Sequence, residues 1–224
     1  MTYYMLNKPQ GCVTARTDAR HPTVMELFPP EVRERFHPVG RLDIDTEGLL
    51  IVTDDGGLDN RIMQPGFNIE KIYRLRALGD LDDEMLAKLA AGIPLYGSGH
   101  IACPAKVEVE SRCRISDVVD LLPPERRQDW MKNPGGSVVT ARMTITEGKK
   151  HQVKLMMRSA GCHVFTLERL QLGALALDPA LAPGQYRALS PAEVNLLLPG
   201  YLDEAGAPTL ARNWRQRTTG AGDS

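Results

Sequence analysis

The sequence predicts an α+β fold with a mixed, mostly antiparallel sheet and flanking helices, and three observations carry that prediction. Residues 72–78 and 138–146 alternate apolar and polar side chains, the period of half-buried strands. Residues 81–91 and 150–160 carry apolar side chains at helical spacing. Strands and helices follow one another irregularly, which disfavours a repeated βαβ unit and favours α+β.

The elements follow in chain order. Residues 3–6 read as an opening strand, ended by the breakers of Asn7-Lys8-Pro9-Gln10-Gly11. Thr23-Val24-Met25-Glu26 has the capping-box pattern and starts a short helix that stops before Pro29-Pro30. Leu49-Leu50-Ile51-Val52 is an apolar run of strand length, and Asp54-Asp55-Gly56-Gly57 reads as the turn after it. In the strand at 72–78, Tyr73, Leu75 and Ala77 share one face and Arg74 and Arg76 the other. The helix at 81–91 groups Met85, Leu86 and Leu89, and Gly92 stops it. In 138–146, Val139, Ala141, Met143 and Ile145 oppose Thr140, Arg142 and Thr144. The helix at 150–160 turns Val153, Met156, Met157 and Ala160 inward, and Gly161 closes it. Residues 163–177 lean towards β structure, and Pro183-Gly184 turns the chain back. Ser190-Pro191-Ala192-Glu193 joins a capping box to a proline at the first helical position. Residues 111–136 are polar, charged and proline-bearing, and read as an insertion between two strands. The expected organisation is one domain over 1–200, followed by a flexible, mildly basic tail over 201–224 that includes Arg212, Trp214, Arg215 and Arg217.

Composition narrows the function classes. A chain of 224 residues buries roughly 70% of its unfolded surface, so it needs no staples. Its 42% hydrophobic and 25% charged content is that of an ordinary globular protein, and a net charge of -1 does not advertise a polyanion partner. Cys12, Cys103, Cys113 and Cys162 are scattered, with no CxxC, which argues against a zinc ribbon or a redox motif and suits a reduced, cytoplasmic setting. Neither a signal peptide nor an apolar run of membrane-spanning length is visible, so no membrane partner is expected. Monomer is the default oligomeric state.

The run of residues 40–56 concentrates the chemistry. Asp43, Asp45 and Glu47 stand directly before the apolar strand, with Gly40 and Gly48 allowing tight turns around them. A carboxylate on such a loop can serve as nucleophile, general acid or metal ligand. With Gly48 and Asp54, the same acids imitate a calcium loop, although Asp54 stands where a bidentate glutamate belongs and the flanks are not helical. Paired carboxylates also suit glycosidic-bond chemistry, but aromatics are scarce, and an acidic turn with no function explains the residues equally well. A second cluster, residues 147–154, opens a helix with Lys149, Lys150 and Lys154, which can meet phosphates or a carboxylate, or simply face solvent. His151 there has no partner at metal-ligand spacing. The third cluster, Lys71-Ile72-Tyr73-Arg74-Leu75-Arg76, places an aromatic among bases on a strand, which suits a nucleobase or ordinary core packing.

Taken in order, Asn7-Lys8-Pro9-Gln10-Gly11, the Gly40-Arg41-Leu42-Asp43 run, Lys71-Ile72-Tyr73, residues 147–154 and Arg169-Leu170-Gln171-Leu172-Gly173 resemble the RNA pseudouridine synthases, in particular the group that modifies ribosomal RNA uridines. The resemblance extends to about residue 198. It implies the synthase catalytic fold, with a cleft crossing the sheet, and isomerisation of a uridine in ribosomal RNA or a pre-ribosomal particle, small-subunit rather than large-subunit RNA. Asp43 matches the essential aspartate, Lys154 its basic partner, and Tyr73 the tyrosine that stacks on the flipped base. Arg41 matches the residue that helps fill the gap left by flipping, and Leu172 the pocket lining. Lys8, Lys71 and Arg169 fall in motifs expected to contact substrate. Neither metal nor cofactor is implied. Relatives of the small-subunit type carry an S4-type RNA-binding domain before the Asn-Lys-Pro segment, and this chain begins almost at that segment. The expectation is therefore a stand-alone catalytic domain, with the 111–136 insertion and its Arg112, Arg114, Arg126, Arg127 and Lys132 contacting RNA. A non-catalytic RNA-binding or ribosome-assembly factor with the same cleft is the competing class, with a calcium module behind it.

Overall fold

The computed structural model describes residues 1–209. The strands are β1 (Tyr3–Lys8), β2 (His37–Val39), β3 (Glu47–Thr53), β4 (Lys71–Leu78), β5 (Lys106–Arg114), β6 (Ser137–Ile145), β7 (His163–Leu172), β8 (Leu175–Ala176) and β9 (Tyr186–Ala188). The α-helices are α1 (Pro30–Arg35), α2 (Gly56–Met63), α3 (Asp83–Ala91), α4 (Pro124–Trp130), α5 (Gln152–Ser159) and α6 (Pro191–Leu197). Short 3-10 helices span Val24–Leu27 and Ile115–Leu121, the first with the capping box expected at Thr23.

All nine strands join one sheet in the order β5-β6-β4-β7-β3-β1-β9, with β2 on β3 and β8 on β7. Its pairings are antiparallel except at β3 and β7, which run parallel and meet through only two register pairs, Glu47 with Glu168 and Gly48 with Arg169. Gly48 sits at φ +98°, and a Cβ there would collide with the backbone of Arg169, so the contact requires glycine. The chain before Glu47 is thus free to part from β7, and the sheet opens into a cleft there.

The Leu49–Val52 run is continuous because both sheet faces are covered. Leu50 and Val52 join a core that also holds Tyr73, Leu75 and Met143 under Val153, Met156 and Met157 of α5. Leu49 and Ile51 point the other way, into a core built with Leu58 and Ile62 of α2 and Val194 and Leu197 of α6. Each of these four strand side chains is fully buried, a stabilisation of about 2 kcal/mol apiece before chain entropy is counted. A third, smaller core lies under the 111–136 segment.

Four expectations are corrected. Asp54-Asp55-Gly56-Gly57 is no simple turn: the Asp55 carboxylate accepts from the Gly57 and Leu58 amides and caps α2. The insertion begins at 115 rather than 111, because Ser111–Arg114 continue β5; its charged side chains are those of an exposed edge strand, where Lys, Glu and Arg discourage further pairing. The calcium reading falls, since Asp54 stands past the far end of the seven-residue β3 from Asp43, roughly 23 Å along the chain. The tail does not start at 201: Tyr201 and Leu202 are buried, and the Tyr201 hydroxyl donates to Asp55 at 2.6 Å. The remaining tail, with Arg212, Trp214, Arg215 and Arg217, lies outside the described residues. Within those residues no helix is long and apolar enough to cross a membrane.

Candidate active site

Two loops build the site. The first, between β2 and β3, carries Arg41 to Thr46 and is clamped from inside. The Thr14 hydroxyl donates to the Leu42 carbonyl at 2.8 Å and accepts from the Leu42 amide at 3.1 Å. The Gly11 amide donates to the Ile44 carbonyl, and the Thr46 amide closes a turn on the Asp43 carbonyl. Buried Lys8 reaches under the loop, its ammonium donating to Thr46 and Pro9 carbonyls at 2.9 Å and to Ile44 at 3.5 Å. Leu42 is sunk in the main core, so the next residue, Asp43, is presented outward from a fixed backbone.

The second loop joins β6 to α5. Buried Gln152 accepts from the Lys149 amide at 2.8 Å and donates to Glu147 at 2.7 Å, and Glu147 in turn accepts from the Cys103 amide. Lys71, also buried, donates to the Thr146 carbonyl at 3.4 Å and to Ile69 at 2.8 Å. Burial, with Arg169 nearby, pushes the Lys71 ammonium down to about 8. His151 enters the helix at φ 55°, a left-handed conformation uncommon outside glycine, and occupies the N-cap. Residues three apart share a helix face, so His151 and Lys154 project to the same side.

Between these loops the charges converge. The Lys154 ammonium lies 3.3 Å from Asp43 Oδ2 and 2.5 Å from Asp45 Oδ1. His151 Nε2 stands 3.5 Å from the other oxygen of Asp43, an ion pair whenever the imidazole is protonated. The Asp43 side chain is 27% exposed and that of Lys154 24%, so the pair faces an open cleft rather than the interior. One lysine therefore serves two carboxylates, and each oxygen of Asp43 meets a different partner. This arrangement can hold an attacking or hydrogen-bonding carboxylate in place beside a bound molecule while leaving it reachable.

The expected residues divide sharply. Asp43 and Lys154 come together, and Arg41 is exposed beside them on the loop. Tyr73 is only 8% exposed and forms the core floor with Leu42 and Val153. Leu172 does not line the cleft: it packs in the second core with Leu175 and α6, because its strand position points to the opposite sheet face. Lys8 and Lys71 are not on the surface either; they brace the backbones of the two site loops. Arg169 is buried as well, with Nε donating to the Leu49 carbonyl at 2.8 Å and one guanidinium nitrogen unpartnered. Sequence reasoning missed Asp45 as a second partner of Lys154 and His151 as a neighbour of Asp43. The i, i+2 spacing of the two aspartates and the i, i+3 spacing of His151 and Lys154 were the available signals.

The mixed sheet and the aspartate–lysine pair beside it can be set against known proteins. The RNA pseudouridylate synthase family model matches residues 2–159, and the chain belongs to that family. It is 39% identical over 196 residues to the uncharacterized RNA pseudouridine synthase YtzG of Bacillus subtilis, covering 87% of this chain and 72% of that protein. It is 38% identical over 192 residues to ribosomal small subunit pseudouridine synthase A of Salmonella typhimurium, covering 86% and 72%. For the Escherichia coli protein of that name the identity is 36%, with the same coverage. A crystal structure of a pseudouridylate synthase superposes with a TM-score of 0.72 at 34% identity, covering 88% of this chain and 74% of the other.

Proposed function

We propose that this chain isomerises a uridine of small-subunit ribosomal RNA to pseudouridine, with Asp43 as the catalytic group. The observation that carries this reading is the loop-fixed Asp43 carboxylate, open to the cleft and 3.3 Å from Lys154, in a member of the synthase family. Relatives named for the small ribosomal subunit, at 36–38% identity, support the choice of RNA.

The target nucleotide leaves its stack at a cost of a few kcal/mol and enters the cleft. Asp43 then assists rupture of the bond between C1′ of the sugar and N1 of uracil, by attack on the sugar or by stabilising its developing positive charge. The freed uracil turns and its C5 bonds to C1′. The C5 proton departs and N1 regains one, so atoms balance as in any isomerisation. Lys154 holds Asp43 in register through charge pairing at 3.3 Å, and His151 steadies the second oxygen. Tyr73 forms the floor on which the base rests. Arg41, exposed on the same loop, is placed to fill the gap in the RNA stack with a planar cation that also meets phosphate. Lys8 and Lys71 act from beneath, as positioning residues for the two loops, and Arg169 holds the start of β3 through the Leu49 carbonyl.

The test is a single-turnover assay on small-subunit ribosomal RNA with pseudouridine detection. Conversion of a defined uridine supports the reading. Tight RNA binding without conversion at any position would assign the chain to the class of non-catalytic assembly factors.

A further inference from the structure

The 111–136 segment is the part of the chain the reaction has not absorbed. Its folded portion, the 3-10 helix Ile115–Leu121 and α4, is no loose loop. Ile115 and Leu122 pack on Val138, with Trp130, Met131 and Phe165 closing this small core. Arg127 stitches the two helices together, donating to the Asp120 and Leu122 carbonyls at 3.5 and 3.4 Å. The segment therefore stands as a rigid wall over one end of the sheet.

Between that wall and β7 lies a cavity of about 420 Å³, lined by Trp130, His163, Phe165 and Arg126 and reaching Asp45 and Lys154 of the catalytic cluster. A second hollow of about 300 Å³ continues across the sheet to Arg74 and Arg76. The two share Gln10, Leu121 and Thr166. Leu121, an apolar side chain left 46% exposed at the tip of the wall, stands on the ridge between them.

We propose that the cavity between α4 and β7 is a second nucleotide subsite, which receives an unstacked base neighbouring the target in the RNA strand and so helps decide which uridine reaches Asp43. The proposal rests on the RNA-modifying reading above. Four observations support it. The volume falls within the roughly 300–1,000 Å³ of sites that take ligands of nucleotide size. The cavity offers an aromatic cluster, Trp130 of α4 with His163 and Phe165 of β7 at 5.6 Å and 5.9 Å between ring centroids, of the kind on which single-stranded bases stack. The His163 ring lines the cavity, its imidazole held below its usual range by desolvation and by Arg126 and Arg158 nearby. Arg126 at the rim can meet the phosphate of the same nucleotide. Because Lys154 and Asp45 border both the cavity and the reacting aspartate, a base seated here fixes the adjacent nucleotide over Asp43.

Trp130 is itself the probe. The chain has two tryptophans, so Trp214→Phe leaves Trp130 as the only one. That protein, in full length, is titrated with a small-subunit ribosomal RNA transcript, binding being followed separately by anisotropy of the labelled RNA. The expected result is a saturable change in Trp130 emission that tracks binding. Leu121→Ala combined with Arg126→Ala should erase the change, lower kcat/KM about tenfold and spread pseudouridine to additional positions, with an unaltered melting temperature. Saturated RNA binding with unaltered Trp130 emission, or an unaltered set of modified uridines in the double variant, would overturn the subsite. If the wild-type protein isomerises nothing, the function assigned above fails, while the emission titration still decides whether RNA enters this cavity.

Discussion

Two aspartates stand at opposite ends of β3 and live opposite lives. Asp43, before the strand, is half-exposed, and its partners are a lysine and a histidine on another element. Asp55, after the strand, is buried and accepts four hydrogen bonds: Tyr3 at 2.7 Å, Tyr201 at 2.6 Å, Gly57 at 2.9 Å and Leu58 at 3.4 Å. Burial alone would push the Asp55 carboxyl up, but the bonds from Tyr201, Tyr3 and the two amides outweigh it and leave the group below the ordinary carboxylate range. The same residue type is thus saturated where it ties the fold together and left with open lone pairs where the proposed chemistry takes place. Exposure and unspent hydrogen-bonding capacity, not acidity in the sequence, separate the candidate catalytic acid from the structural one.

Breaking each in turn should separate activity from stability. The largest effect belongs to Asp43→Asn, which should lower isomerisation at least about 1,000-fold, as loss of a catalytic group acting as a unit does, while the melting temperature stays within about 2 °C. Asp55→Ala should do the reverse. It leaves two buried tyrosine hydroxyls without an acceptor and uncaps α2, costing about 3 kcal/mol, or roughly 6–12 °C in melting temperature for a chain of this size. Its turnover per folded molecule at low temperature should match wild type. Lys154→Met should reduce the rate about 100-fold, within the range of lost electrostatic support, with RNA affinity nearly kept. His151→Gln should cost about tenfold, since Lys154 still holds the other oxygen of Asp43.

The smallest effect is a pH signature of the Asp55 knot. A depressed carboxyl contributes stability above its unfolded value of about 3.9 that is lost as pH falls through the lower folded value. Tyr3 and Tyr201 are raised, by burial first and then by Asp55, so their contribution is present below about pH 10 and fades as pH climbs beyond it. Denaturant melts across pH should show this contribution flat between those limits in wild type. The Tyr201→Phe difference from wild type should shrink as pH falls below the ordinary aspartate value of about 3.9 and Asp55 protonates, because a neutral carboxyl is the weaker acceptor.

The same contrast explains what could be read from the sequence. Period-two and helical patterns located β4, β6, α3 and α5 because each turns a row of apolar side chains into the main core, as Tyr73, Leu75 and Ala77 do. Edge strand β5 escaped, since its exposed Lys, Glu and Arg side chains look like a polar insertion. The aspartate and its lysine were legible through the ordered motifs, but composition carries no depth. Lys8, Lys71 and Arg169 looked like RNA contacts and are instead buried, bonded to carbonyls beneath the site. Leu172 failed for a related reason: a one-residue difference in strand position decides which face of the sheet a side chain serves. The appendage cavity could not be foreseen at all, because it forms only where α4 meets β7.

The most direct measurement places folded wild-type and Asp43→Asn proteins on small-subunit ribosomal RNA and maps pseudouridine at single-nucleotide resolution. The expected result is one converted uridine with the wild-type chain and none with the variant, both binding RNA alike. Equal conversion by the two proteins would contradict it.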